Sequence, residues 1–195
     1  MPNEVEILRD LGCYADFTFP SAPSDTQPRS VNQIGYARER GSARALDHLT
    51  PASCGVTSNL RHSADHLLLV QGPLALNWKW RTRGVLPRLE NADLTAANPP
   101  TPLRCALWLR QRIQVTGRPD WLFLKLHSHG ATPANSDALL GAPMRSFLRH
   151  FTGDPNIRTR FVTAREMVNL IHAAEDGTTQ PPEDCLDYFL RTAPP

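Results

Sequence analysis

Alternation of helical and strand-like segments puts this 195-residue chain in the α/β class. Two observations carry the assignment. Segments with helical spacing and short apolar runs succeed one another as helix, strand, loop, strand, strand, helix, strand, helix, strand, helix. The apolar runs are also nearly continuous, as expected of strands covered on both faces.

The elements follow in order. Residues 3–12, "NEVEILRDLG", place Val5, Ile7, Leu8 and Leu11 on one helical side, with Gly12 as a stop. "CYADFTF" alternates as a strand and Pro20 ends it. Residues 21–64 are rich in Pro, Ser, Asn, Arg and Gly and predict a long ordered loop, with one small helix at "SARALDHL". "HLLLVQG" and "LALNWKW" are strands around the Gly72-Pro73 turn, and "LPRLENADLTAANPP" reads as loop. "TPLRCALWLRQRIQV" is a helix that Thr101 caps and Pro102 opens. "LFLKLH" is a strand, and "NSDALLGAPMRSFLRHF" is a helix disturbed at Pro143. "IRTRFV" is a further strand. Thr163 and Glu166 form a capping box for "AREMVNLIHAAED", which stops at Gly177.

Composition excludes several classes. Hydrophobic residues make up 41% and charged residues 21%, so the chain folds. A net charge of +2 is too small to argue for nucleic acid or a polyanionic surface, and no basic cluster with interleaved aromatics is expected. No apolar stretch reaches the length of a membrane span, and the polar start "MPNEVEILRD" is not a secretory signal. Cys13, Cys54, Cys105 and Cys185 lack CxxC spacing and read as free thiols, which makes the expected location cytoplasmic. There is no GxGxxG, P-loop or GxSxG motif.

The chemistry concentrates at "DWLFLKLHSHG", residues 120–130. On a strand, Trp121, Phe123, Lys125 and His127 share one face, and Leu122, Leu124 and Leu126 the other. Apolar residues below and polar groups at the carboxyl end resemble the interior of an α/β barrel near its mouth. His127 and His129 are then site residues; alternatively, His127 caps the strand and His129 is solvated. Asp16 sits mid-strand, where an acid needs a partner or a cavity. It pairs with a histidine, His127 first, or with an arginine. Trp78 and Trp80 offer either a sugar-stacking platform or core packing. His62 and His66 in "HSADH" have the letters of an i, i+4 metal pair. They read as loop histidines because a strand follows at once.

Four blocks carry a family resemblance: "LRDLGCYADFTFPSAPSDTQPRSVNQIGYA", "LLLVQGPLALNWKW", "PDWLFLKLHSHGA" and "FVTAREMVNLIHAAEDG". Together they resemble the later part of a polysaccharide deacetylase-like protein of the NodB homology type, as found in one bacterial subgroup. The resemblance implies a partial distorted (β/α) barrel with long irregular loops over residues 1–178 and a polar, Pro-containing tail over 179–195. It implies metal-dependent hydrolysis of acetyl groups on sugars, a carbohydrate substrate and a zinc-like divalent cofactor. His127 takes the place of the family's general acid, although Lys125 stands where the family often has leucine. Asp16 is its catalytic partner, and His129, Thr18 and Trp78 contact substrate. The Asp-Asp pair of the family's early motifs does not occur in this sequence. The expectation is therefore a truncated domain, inactive alone, that binds no metal by itself and self-associates through an uncovered sheet edge. The other reading is a non-catalytic carbohydrate-binding or structural remnant of the fold.

Overall fold

The computed structural model describes residues 4–22, 27–38 and 49–189. The small helix expected at "SARALDHL" falls mostly outside these residues. Helices and strands are mixed, and no closed barrel forms among the described residues.

A four-stranded sheet organises the first half. Strand β1 (Ala15–Asp16) runs parallel to β4 (His66–Val70); β2 (Ile34–Arg38) is antiparallel to β4 and to β3 (Thr50–Pro51), giving the order β1-β4-β2-β3. The apolar run of β4 is continuous because both faces are covered. Leu68 and Val70 pack with Ile34, Tyr36 and Ile171, the last from helix α5 (Ala164–Glu175). Leu67 and Leu69 pack with Phe19 and with Val5 of helix α1 (Glu4–Asp10). Each such leucine contributes about 1.5–3 kcal/mol through burial. Helix α1 ends where Gly12 takes a φ of 82°.

β2 lies inside the segment read as a loop. Its sequence, IGYAR, is short and its Gly and Ala weaken the strand signal, yet Ile34 to Ala37 are all buried. Tertiary pairing with β4, rather than local propensity, makes it a strand.

A separate antiparallel hairpin joins β5 (Leu74–Thr82) to β6 (Leu86–Asn91). β6 falls in a second segment read as loop. Its alternation is inverted: Leu89 is exposed and Glu90 buried. The inversion is stable because Glu90 accepts a 2.5 Å hydrogen bond from buried Arg104 Nε. Pro87 is tolerated because β6 is an edge strand.

Helix α2 (Pro102–Arg110) is capped by the Thr101 hydroxyl, which accepts from Arg104 N at 3.3 Å. It stops earlier than its sequence pattern suggests. Arg112 takes a φ of 48°, and Ile113 and Val115 enter the core as extended chain. The helix expected over 135–151 is two helices, α3 (Ser136–Leu140) and α4 (Ala142–Thr152). The break lies at Gly141, where a Cβ would stand 2.3 Å from the Asp137 carbonyl oxygen. Pro143 sits in the first turn of α4, where it disturbs nothing.

The runs at 121–127 and 157–162 are extended but do not join a named strand. The first divides its backbone bonds between two neighbours. Phe123 N donates to Ile113 O at 2.8 Å, while His127 forms an isolated parallel bridge with Asp93. No single neighbour follows it far enough to make a ladder. α5 carries the expected capping box: Thr163 N donates to Glu166 Oε2 at 2.7 Å and Glu166 N to Thr163 Oγ1 at 3.3 Å. It ends before Gly177, which has a φ of 68°.

The segment read as a tail is docked up to residue 189. Cys185 is buried, Asn169 Nδ2 donates to Leu186 O at 2.7 Å, and Phe189 N donates to Asn169 Oδ1 at 3.0 Å.

Candidate functional site

The isolated bridge between Asp93 and His127 sets the site. His127 N donates to Ala92 O at 3.1 Å, and Leu94 N donates to His127 O at 2.9 Å. These bonds bring the two side chains together, with His127 Nε2 4.0 Å from Asp93 Oδ1. Asp93 Oδ1 and His127 Nδ1 are both buried and make no hydrogen bond within the protein. Buried polar atoms without partners are uncommon, and two in one pair mark a place for an incoming polar group. The His129 ring stands edge-on to His127, with centroids 6.3 Å apart.

The carboxylate beside His127 is therefore Asp93. Asp16, the partner expected from sequence, has contacts of its own. Its Oδ1 accepts from Thr18 N at 2.6 Å, and its charge acts on Lys125. Lys125 is only 7% exposed and donates from Nζ to Phe17 O at 2.6 Å and to Phe19 O at 2.7 Å. These bonds answer how a lysine survives on a buried face. Burial pulls its pKa down to about 8, with Asp16 opposing. Thr18 stays with Asp16 and is exposed.

Burial also lowers the His127 pKa below its ordinary value, more than the Asp93 charge raises it. Lys125, His129 and Arg104 add to the lowering. His127 is thus neutral at neutral pH. A neutral imidazole accepts a proton before it can give one.

Asp93 is held by a polar scaffold. Its Oδ2 accepts from Asn98 Nδ2 at 3.2 Å, and its carbonyl accepts from Arg104 Nη2 at 2.6 Å. Arg104 also donates to the carbonyls of Asn91 and Pro99, at 3.0 and 3.1 Å, and to that of Asn98. Asn98 Oδ1 accepts in turn from Arg88 Nη2, and the Arg88 guanidinium lies 5.5 Å from the Trp80 ring centroid. A continuous path thus runs from the hairpin through Arg88 and Asn98 to Asp93 and His127. Trp78, on that hairpin, is 60% exposed, so it is not core packing.

Asp93, Asn98, Arg88 and Arg104 were not legible as a site. "ENADLTAANPP" has no period, and its only signal is a density of Asn and Asp between a hairpin and a helix cap. His62 and His66 are separated as strand geometry requires. His62 ends a 3-10 turn (Ser58–His62) and stacks near Phe189, with centroids 5.9 Å apart; His66 opens β4 and contacts Ser63 Oγ at 2.8 Å through Nδ1.

Among the described residues, no group of three or more His, Cys, Asp or Glu side chains is placed to hold a metal ion. No helix among them is long and apolar enough to cross a membrane. Comparison with protein-family models, curated proteins and solved structures finds no match to this chain.

Proposed function

We propose that the Asp93–His127 pair is the proton-transfer element of a carbohydrate deacetylase-type hydrolase. The observation that carries this reading is the pair itself: His127 Nε2 stands 4.0 Å from Asp93 Oδ1, and Asp93 Oδ1 and His127 Nδ1 are buried without a partner. Neutral His127 accepts a proton from a water that attacks the acetyl carbonyl. Asp93 stabilises the imidazolium so formed. That imidazolium then protonates the leaving nitrogen or oxygen, giving acetate and the free sugar amine or hydroxyl. His129 and exposed Trp78 are the proposed sugar contacts.

The proton transfer is thus assigned to this pair alone, since no metal-holding group of three or more His, Cys, Asp or Glu occurs among the described residues. Deacetylation by the chain alone is expected below detection. Binding is the direct test. An N-acetylglucosamine oligomer should shift the side-chain nitrogen resonances of His127. Asp93→Asn should lower the His127 pKa further while leaving the fold intact. A ligand series that never perturbs His127 would sink the reading.

Exposed Trp78, joined to the pair through its hairpin, favours a second reading in which the fold binds carbohydrate without turnover. Sugar binding that persists undiminished in His127→Ala and is lost in Trp78→Ala would select it.

A further inference from the structure

The β5–β6 hairpin is anchored on one face. Ala75, Asn77 and Glu90 are buried, and Glu90 is tied to Arg104 of α2. The other face and the tip are open. Leu76 and Leu89 pair directly across the strands, and both are exposed. At the turn, Val85 is 73% and Leu86 65% exposed. Between these apolar positions stand Lys79, Arg81, Arg83 and Arg88, and no acid occurs from Leu76 to Leu89. The whole-chain charge of +2 hides this concentration of cations among tryptophans, WKWRTR over 78–83, which corrects the expectation that no basic cluster with interleaved aromatics occurs.

The backbone fixes the display. Asn77 Oδ1 accepts from Lys79 N at 3.1 Å and Trp80 N at 3.2 Å. This turn shifts the register from Asn77↔Arg88 to Arg81↔Pro87. A bulge of this kind re-aims side chains and blunts strand addition. Arg83 and Gly84, with φ of 53° and 72°, then reverse the chain and push Val85 and Leu86 outward.

We propose that this hairpin tip docks on an anionic lipid bilayer. The tip carries the side-chain types that such a surface takes up, and the long stems of Arg81 and Arg83, near the turn, let their charges snorkel back to the phosphates. Aliphatic Val85 and Leu86 enter the acyl boundary, Trp78 and Trp80 occupy the interfacial layer, and Lys79, Arg81 and Arg83 meet lipid phosphates. Single-stranded nucleic acid would use the cations and indoles but leave Val85, Leu86, Leu76 and Leu89 in water. An acidic glycan would do the same. The aliphatic tip therefore decides for lipid. The proposal shares Trp78 with the carbohydrate readings but rests on Val85, Leu86 and the cations, which those readings do not use.

The test uses the full chain and large unilamellar vesicles. One set is phosphatidylcholine alone; the other contains about one-third phosphatidylserine. The protein should sediment with the anionic vesicles, stay in solution with the neutral ones, and be released as salt approaches about 1 M. Lys79→Gln and Arg81→Gln should weaken binding about fivefold each. Val85→Asp with Leu86→Asp should abolish it. These residues are exposed, so the variants should keep the parent's circular dichroism and melting midpoint. Equal binding to both vesicle types, binding to neither, or undiminished binding by the double aspartate variant would overturn the proposal. So would tighter retention on single-stranded DNA or heparin than on anionic vesicles.

Discussion

The Tyr36 hydroxyl donates to Glu175 Oε2 at 2.9 Å, joining the middle of β2 to the last turn of α5. Glu175 is fully buried and also accepts from Thr57 Oγ1 at 2.6 Å; its Oε2 lies 3.0 Å from His172 Nδ1 and 3.7 Å from Arg61 Nη2. Burial, then the Glu175 charge, holds the Tyr36 phenol far above its ordinary pKa. Glu175→Ala takes this acceptor from the Tyr36 and Thr57 hydroxyls and from His172 Nδ1, at a cost of about 3–5 kcal/mol, while Arg61 keeps its pair with Asp176 at 2.7 Å. Tyr36→Phe removes one neutral donor and costs about 1–3 kcal/mol. Urea unfolding midpoints check both, and an unchanged midpoint for Glu175→Ala would show that the network anchors nothing.

His172 makes stability fall in mild acid. Its pKa is lowered in the folded protein, first by burial, from an ordinary 6.5. The unfolded chain therefore takes up the proton more readily once pH drops below about 6.5. Stability is full above that value and declines as pH falls toward the folded pKa. Burial lowers the pKa values of His66 and His127 as well, so they act in the same direction. In thermal melts across this window, His172→Asn should start less stable at neutral pH and show a shallower acid slope.

Lys125 acts in the opposite range. Its pKa is about 8 in the fold against an ordinary 10.5, so between these values the unfolded chain holds the proton longer. Its contribution to stability thus rises with pH across that window. Lys125→Met should flatten this rise relative to the parent. At neutral pH it should cost about 2–5 kcal/mol, because the carbonyls of Phe17 and Phe19 lose a charged donor. A variant whose melting profile overlays the parent from neutral to alkaline pH would refute this.

Gly35 of β2 lies close against β3, opposite Pro51. A Cβ there would stand 2.7 Å from the Thr50 carbonyl oxygen and 3.1 Å from Leu49 Cβ. Gly35→Ala must push β3 away and should cost about 1–3 kcal/mol. Hydrogen exchange should show faster exchange at the Ala52 amide, which donates to Ile34 O at 3.0 Å. Unchanged protection there would contradict the close packing.

Sequence patterns located the elements whose signals are local. The capping box of α5, the Thr101 cap of α2 and the apolar run of β4 each depend on neighbouring residues, and each formed where read. β2 and β6 were missed because distant partners create them: β4 pairs with one, and Arg104 makes Glu90 acceptable inside the other. The site was half legible. His127 stood out by its place at the end of an apolar run, whereas Asp93 was invisible. An aspartate in an irregular segment acquires meaning only when a backbone bridge across 34 positions delivers it to a histidine. Alternation indicated that Lys125 faces inward, but it could not show that backbone carbonyls, rather than an acid, satisfy it.

Arg104 binds the carbonyls of residues 91, 93, 98 and 99 from a single helix turn. This has a kinetic meaning. A loop whose acceptors are gathered by one side chain cannot settle until the helix bearing that side chain has docked. The approach of α2 and the ordering of residues 91–99 should therefore be one cooperative event. In native-state exchange, amides in this loop should open together with those of α2 rather than fray separately. The acid of the site is then assembled late, delivered by a helix that grips its backbone carbonyl and not its carboxylate.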